Sequence, residues 1–181
     1  EMPPTRLREV FDAGDGNDMK LWAAAAEVGL QGLVVPEQYG GSGLSLLDLA
    51  LAFEVLGECA APGPFLGHVL TEVALVSGGT EAQKEEWLPR LASGDCVAGC
   101  GLEDSGAGSV GGSEALRLSS DTVSGTKYFA DVMSTTEVLV LGLGDGTIGL
   151  VRRDAPGLRV EPVDRLDRLE AQRPSTGRGV R

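Results

Sequence analysis

The sequence predicts an α+β fold: an N-terminal all-α helical domain followed by an antiparallel β domain. Three observations carry this. Apolar residues recur at helical spacing up to about residue 92, and two of the segments open on capping boxes. After Ser93-Gly94-Asp95 that period disappears, and short apolar runs follow, separated by Gly and Asp. The break between the two regimes is the sharpest composition shift in the chain. It sets the expected domains at 1–94 and 95–181.

Residues 5–12 form a short amphipathic segment. Residues 18–29 place Leu21, Trp22, Ala25 and Val28 on one helical face, and Gly29 closes it. The stretch from Gly32 to Gly43 is too rich in Pro and Gly for a helix and reads as an ordered loop. Ser45 with Asp48 forms a capping box that opens a helix over 45–58. That helix is apolar nearly all round, from Leu46 and Leu47 to Val55 and Leu56, so it is expected to be deeply buried. Pro62 and Pro64 introduce a helix over 64–77 that carries His68, and Thr80 with Gln83 caps another over 80–91.

The expected strands lie at 96–102, 115–118, 121–129, 137–143, 147–152 and 157–161. Gly144-Asp145-Gly146, between two of them, is a hairpin signal. Residues 165–181 hold Arg165, Arg168, Arg173, Arg178 and Arg181 with little apolar material. They read as a solvated or frayed basic tail, with contact to an anionic ligand as the alternative.

The 181 residues carry 15 Lys+Arg against 27 Asp+Glu, a formal charge of −12. That excess of acid argues against a nucleic-acid partner, because phosphate binding needs clustered cations. No apolar run reaches membrane-spanning length, and residues 1–20 hold no signal-peptide core. Three cysteines, Cys59, Cys96 and Cys100, without metal-ligand spacing, fit a reducing cytoplasm. With a single histidine, neither a metal site nor a Cys–His nucleophile pair is expected.

Four features could carry chemistry. Gly106-Ala107-Gly108-Ser109-Val110-Gly111 matches the bare glycine spacing of a dinucleotide fingerprint, but the segment after it reads as a strand. It therefore offers no helix N-terminus for a pyrophosphate, and is either a backbone phosphate nest or a plain β-connection. His68 is either a packed residue at the core edge or a polar group lining a ligand cavity. Cys96 and Cys100 alternate along a strand and read as buried thiols. Glu103 and Asp104, at that strand's end, are either an acid–base pair or a solvated turn.

Several stretches together resemble the acyl-CoA dehydrogenase family. They are Val35-Pro36-Glu37-Gln38-Tyr39-Gly40-Gly41-Ser42-Gly43-Leu44-Ser45, the helix after it, Gly79 through Gly94, Gly106-Ala107-Gly108-Ser109 and Gly125-Thr126-Lys127-Tyr128-Phe129. The resemblance runs to about residue 165. It implies a helical N-terminal domain, a middle β domain and FAD as cofactor. It implies α,β-desaturation of an acyl-CoA, with an electron-accepting flavoprotein downstream. The family's catalytic glutamate belongs to a third, helical domain, and no segment here resembles it, so no catalytic residue is expected in this chain. Flavin contacts are implied for Cys100, Leu102, Glu103, Ser109, Phe129 and Asp131, and acyl-CoA contacts for Leu66, His68 and Ser109.

The motif departs from the family at defined places. Glu103 stands where the family has a threonine that donates to the flavin pyrimidine edge. Val110 replaces an aspartate, and Asp131 stands where a hydroxyl is expected. A carboxylate at 103 repels the anionic reduced flavin unless it is protonated or turned away. The implied function is therefore a subunit or fragment of an FAD-dependent acyl-CoA dehydrogenase, or else a non-catalytic partner subunit that binds no flavin. A homo- or hetero-oligomer is expected, because the apolar helix over 45–58 needs cover.

Overall fold

The computed structural model describes residues 3–13, 16–102, 116–119, 122–127, 130, 134–162 and 172–180. Among these residues, five α-helices come first: α1 (Pro4–Ala13), α2 (Met19–Glu27), α3 (Leu46–Glu58), α4 (Phe65–Gly78) and α5 (Glu81–Ala92). Seven strands of the described residues follow: β1 (Val97–Gly101), β2 (Arg117–Ser119), β3 (Thr122–Thr126), β4 (Thr136–Gly142), β5 (Ile148–Arg152), β6 (Leu158–Pro162) and β7 (Gln172–Val180). The helix-then-β order read from the sequence is the order observed.

The caps explain the helix starts. Asp18 accepts from Lys20 and Leu21 N–H and so begins α2. Both predicted capping boxes are present, Ser45/Asp48 on α3 and Thr80/Gln83 on α5. Between α2 and α3 the Pro- and Gly-rich segment is ordered by backbone bonds from Ser42 N to Gly32 O and from Gly43 N to Val35 O. A Cβ at Gly41 would fall 2.1 Å from the Val35 carbonyl oxygen, so only glycine fits there.

The strands form two sheets, β1-β4-β5 and β2-β3-β7-β6. The second is antiparallel throughout. In the first, β4 and β5 are antiparallel across the Gly144-Asp145-Gly146 turn, but β1 and β4 are parallel. That departs from a wholly antiparallel expectation. The chain between Gly101 and Thr136 is long enough for the return crossover that parallel neighbours require. A second correction concerns the basic C-terminal segment. Residues 172–180 are not a frayed tail but strand β7, between β3 and β6.

A third correction concerns α3, which contains no buried residue. Phe53 and Leu56 pack, partly buried, on the Trp22–Phe65–Val97 cluster. Leu47, Leu51 and Val55, spaced by one turn, are exposed at 69%, 55% and 58%. The helix is apolar all round, as read, but nothing in the described chain covers its outer stripe.

The core lies where helices meet the first sheet. Val35, Leu75, Trp87, Leu88, Leu91, Cys96, Ala98 and Val138 form one cluster. Trp87 sits beneath two guanidinium groups, Arg152 at 4.9 Å and Arg90 at 5.6 Å from its ring centroid. Arg90 pairs with Glu137 at 2.7 Å and Arg152 pairs with Glu86, so α5 is tied to both β4 and β5.

Candidate functional site

Strand β1 is buried along its whole length, and on one side it pairs with β4. Helix α4 packs against β1, and two α4 side chains bond its backbone. Ala98 N–H donates to His68 Nδ1 at 3.2 Å, and Thr71 Oγ1 donates to Gly99 O at 3.0 Å while lying 2.9 Å from Gly67 O. Histidine and threonine, one turn apart on α4, thus anchor the helix to the strand.

His68 Nδ1 accepts that bond, so the ring proton sits on Nε2, 3.2 Å from Leu91 O. The ring also meets Trp22 edge-on at 4.9 Å. One turn further along, Glu72 is fully buried, and its Oε1 lies 3.4 Å from His68 Nε2. Neither Glu72 oxygen has a hydrogen-bond partner. Burial pushes the Glu72 carboxyl above its ordinary range, and the neighbouring His68 offsets this only in part.

Each residue singled out from the sequence can now be placed. His68 is packed inside the α4–α5–β1 seam. Cys96 and Cys100 are both buried, and burial pushes the Cys96 thiol up to about 11, which makes it inert. Cys100 lies on β1 and Leu102 just beyond its end, with Leu102 38% exposed. Leu66, on α4, is exposed, with Leu70 one turn along the same face. Glu103, Asp104, Ser109, Phe129 and Asp131, and the loop 106–111, lie outside the described residues.

Among the buried polar residues that escaped the sequence reading are Glu72 and Lys127. Glu72 could have been found as an acid on an otherwise apolar helix at i+4 from His68. Lys127 is 1% exposed, and its Nζ donates to Leu102 O at 3.3 Å. Lysine is almost never fully buried unless it is paired. This bond brings the end of β1 against the residue that follows β3. Gly101 makes the approach possible: a Cβ there would stand 3.1 Å from Ala130 Cβ and 3.0 Å from Leu141 Cδ2.

Among the described residues, no helix is long and apolar enough to cross a membrane, and no cluster of side chains could hold a metal ion. An open groove of about 340 Å³ lies between the α4–α5 junction and the β4–β5 hairpin, lined by Leu75, Gln83, Val140 and Ile148 among others. It lies apart from the β1 terminus.

The acyl-CoA dehydrogenase N-terminal domain matches residues 2–95. Acyl-CoA dehydrogenase FadE12 of Mycobacterium tuberculosis is 31% identical over 163 residues, which cover 80% of this chain and 41% of FadE12. A variant of the Tcur3481–Tcur3483 steroid ACAD superposes with a TM-score of 0.86 at 30% identity, over 97% of this chain and 51% of that one. An acyl-CoA dehydrogenase from Bacillus anthracis complexed with FAD superposes with a TM-score of 0.76 at 24% identity, over 97% of this chain and 34% of that one. The chain thus spans about half or less of the length of these proteins. With more than half its residues matched by the family's N-terminal domain, and that fold continued through both sheets, this chain belongs to the acyl-CoA dehydrogenase family.

Proposed function

We propose that this chain forms the helical wall and the β wall of an FAD-dependent acyl-CoA dehydrogenase that desaturates an acyl-CoA thioester between its α and β carbons. The observation that carries this reading is the β1 terminus. There Lys127 Nζ donates to Leu102 O, and these two residues directly precede stretches that match the family's flavin motifs in sequence. The donor set fits a flavin in part. Leu102 offers an exposed apolar contact, while the Cys100 side chain is buried, so Cys100 would contribute through its backbone. Glu103, Ser109, Phe129 and Asp131 complete the proposed cofactor set. Bound FAD would supply the hydride acceptor.

The exposed face of Leu66 and Leu70 on α4 is the proposed contact for the acyl group. His68 serves it indirectly, by locking α4 to β1 through Ala98 N–H and to α5 through Leu91 O. These residues bind, orient and exclude water. No segment of the sequence resembles the one that carries the family's base for the α-proton, so turnover is not expected from this chain by itself. Such a base typically contributes 10²–10⁴-fold. The reading further includes a cytoplasmic location, an electron-accepting flavoprotein as redox partner, and an oligomer that covers the Leu47–Leu51–Val55 stripe.

A second reading is favoured by Glu103 and Asp131, acids where the family carries hydroxyls. In it, the chain is a non-catalytic partner subunit that binds no flavin. The visible absorption spectrum of the purified chain separates the two. Flavin bands after incubation with FAD and gel filtration support the first reading. A colourless protein refutes it in favour of the second. Turnover of any acyl-CoA with an artificial electron acceptor would overturn the missing base.

A further inference from the structure

Glu72 lies in the seam that α4 makes with β1 and α5. Its side chain is fully buried, and neither carboxyl oxygen has a hydrogen-bond partner. A buried ion is tolerated only where pairing and hydrogen bonds offset its lost hydration. His68, one turn earlier, has Nε2 3.4 Å from Glu72 Oε1, yet it cannot provide that offset. Its Nδ1 accepts from Ala98 N–H, so the ring's single proton is on Nε2, 3.2 Å from Leu91 O. A second proton on the ring would set an Nδ1–H donor against the Ala98 N–H donor and break a bond that holds α4 to β1. An ion pair with His68 and a closed seam therefore exclude each other.

The charged groups of the neighbouring elements are engaged elsewhere or face solvent. On α5, Lys84 pairs with Glu81, Arg90 with Glu137 of β4 and Glu86 with Arg152 of β5, while Glu85 is exposed. On α2, Lys20 and Glu27 are exposed. At β1 the titratable groups are the buried thiols of Cys96 and Cys100. Among the described residues only His68 bears on the Glu72 charge, and burial outweighs it, so the carboxyl is held above its ordinary range.

We propose that Glu72 is a pH-operated latch for α4: while it keeps its proton the helix is seated on β1, and when rising pH takes that proton into solvent the helix lifts to let water reach the carboxylate. The bonds that part are Ala98 N–H to His68 Nδ1 and Thr71 Oγ1 to Gly99 O. The open seam returns the carboxyl to its ordinary value and the closed seam holds it higher, so closure is favoured in acid and weakens between the two values. Leu66 and Leu70 ride on the same helix. Their movement with it matters to the acyl face only under the function proposed above; the latch itself does not rest on that function.

The test follows amide exchange of the full chain by NMR from pH 5 to pH 9, corrected for the intrinsic exchange rate, in wild type and Glu72→Gln. In wild type, protection of the Ala98 N–H and of the α4 amides is expected to fall by up to about tenfold for each pH unit between the two carboxyl values, and then to level off. The β4–β5 hairpin is expected to keep its protection. Glu72→Gln is neutral at every pH and is expected to keep Ala98 protected across the whole range. The His68 nitrogen shifts are expected to report the neutral Nε2–H form at neutral pH. A flat wild-type profile, a hairpin that opens in parallel, a wild-type slope retained in Glu72→Gln, or a doubly protonated His68 at neutral pH would each overturn the proposal. If circular dichroism shows Glu72→Gln unfolded, Glu72→Met takes its place, with the same flat profile expected and a retained slope again overturning the latch. No flavin enters the measurement, so its outcome is separate from that of the FAD reading.

Discussion

Replacing Glu72 by methionine should stabilise this protein. The carboxylate is fully buried, and both its oxygens lack a hydrogen-bond partner. A buried polar group left unsatisfied costs roughly 1–3 kcal/mol. Methionine has similar length, carries no polar oxygen and adapts to irregular space. His68 keeps its bonds to Leu91 O and Ala98 N–H, so the seam loses little. The expected gain is therefore about 1–3 kcal/mol, or roughly 2–10 °C in Tm for a domain of this size. The pH dependence gives a sharper signature. The folded carboxyl titrates above its ordinary value of 4.5, so between the two values the native state holds the extra proton. Wild-type stability is then highest below the unfolded value and falls as pH rises through the folded one. Glu72→Met removes this slope, so its advantage should be smallest in acid and widen toward neutral pH. Thermal melts of both proteins from pH 4 to pH 8 would show it. A lower Tm for the variant, or an advantage independent of pH, would mean that the carboxylate is satisfied and the reasoning is wrong.

Three further outcomes are expected. Gly41→Ala should cost about 1–3 kcal/mol in urea unfolding, because its Cβ would fall 2.1 Å from Val35 O; wild-type stability would show that the loop yields freely. Glu103→Thr should tighten FAD binding in a fluorescence titration, since it removes a charge and restores a hydroxyl donor; weaker or equal binding would place Glu103 away from the ring. Light scattering at micromolar concentration should report association, since the Leu47–Leu51–Val55 stripe is exposed; a monomer that binds no hydrophobic dye would exclude that interface.

Local signals in this chain were readable, and those set by tertiary neighbours were not. The capping residues Ser45, Asp48, Thr80 and Gln83 marked two helix starts, because a cap is a contact across three residues. The Asp145 turn marked β4–β5 for the same reason: Thr147 N–H and Oγ1 both reach its side chain. The burial of α3 was misjudged because apolar composition states a need for cover without supplying it. Strand β7 was missed because Arg173, Pro174, Gly177 and Gly179 carry no strand alternation, and its place between β3 and β6 is a long-range pairing. The parallel β1–β4 pair was equally invisible, since period alone does not choose a neighbour. At the site, Leu66 and Leu102 were picked out and are exposed, while His68 was left between two roles and is a seam residue. Lys127 stood inside a quoted motif yet went unremarked, because its burial depends on Gly101 and Leu102, 25 residues earlier.

The most direct test of the account is amide exchange across the full chain with and without saturating FAD. If the β1 terminus is the flavin wall, protection should rise in peptides covering 97–104 and 122–131 and stay unchanged in α5 and in the β4–β5 hairpin. Protection confined to the groove between α4, α5 and β5, or none anywhere, would contradict the account.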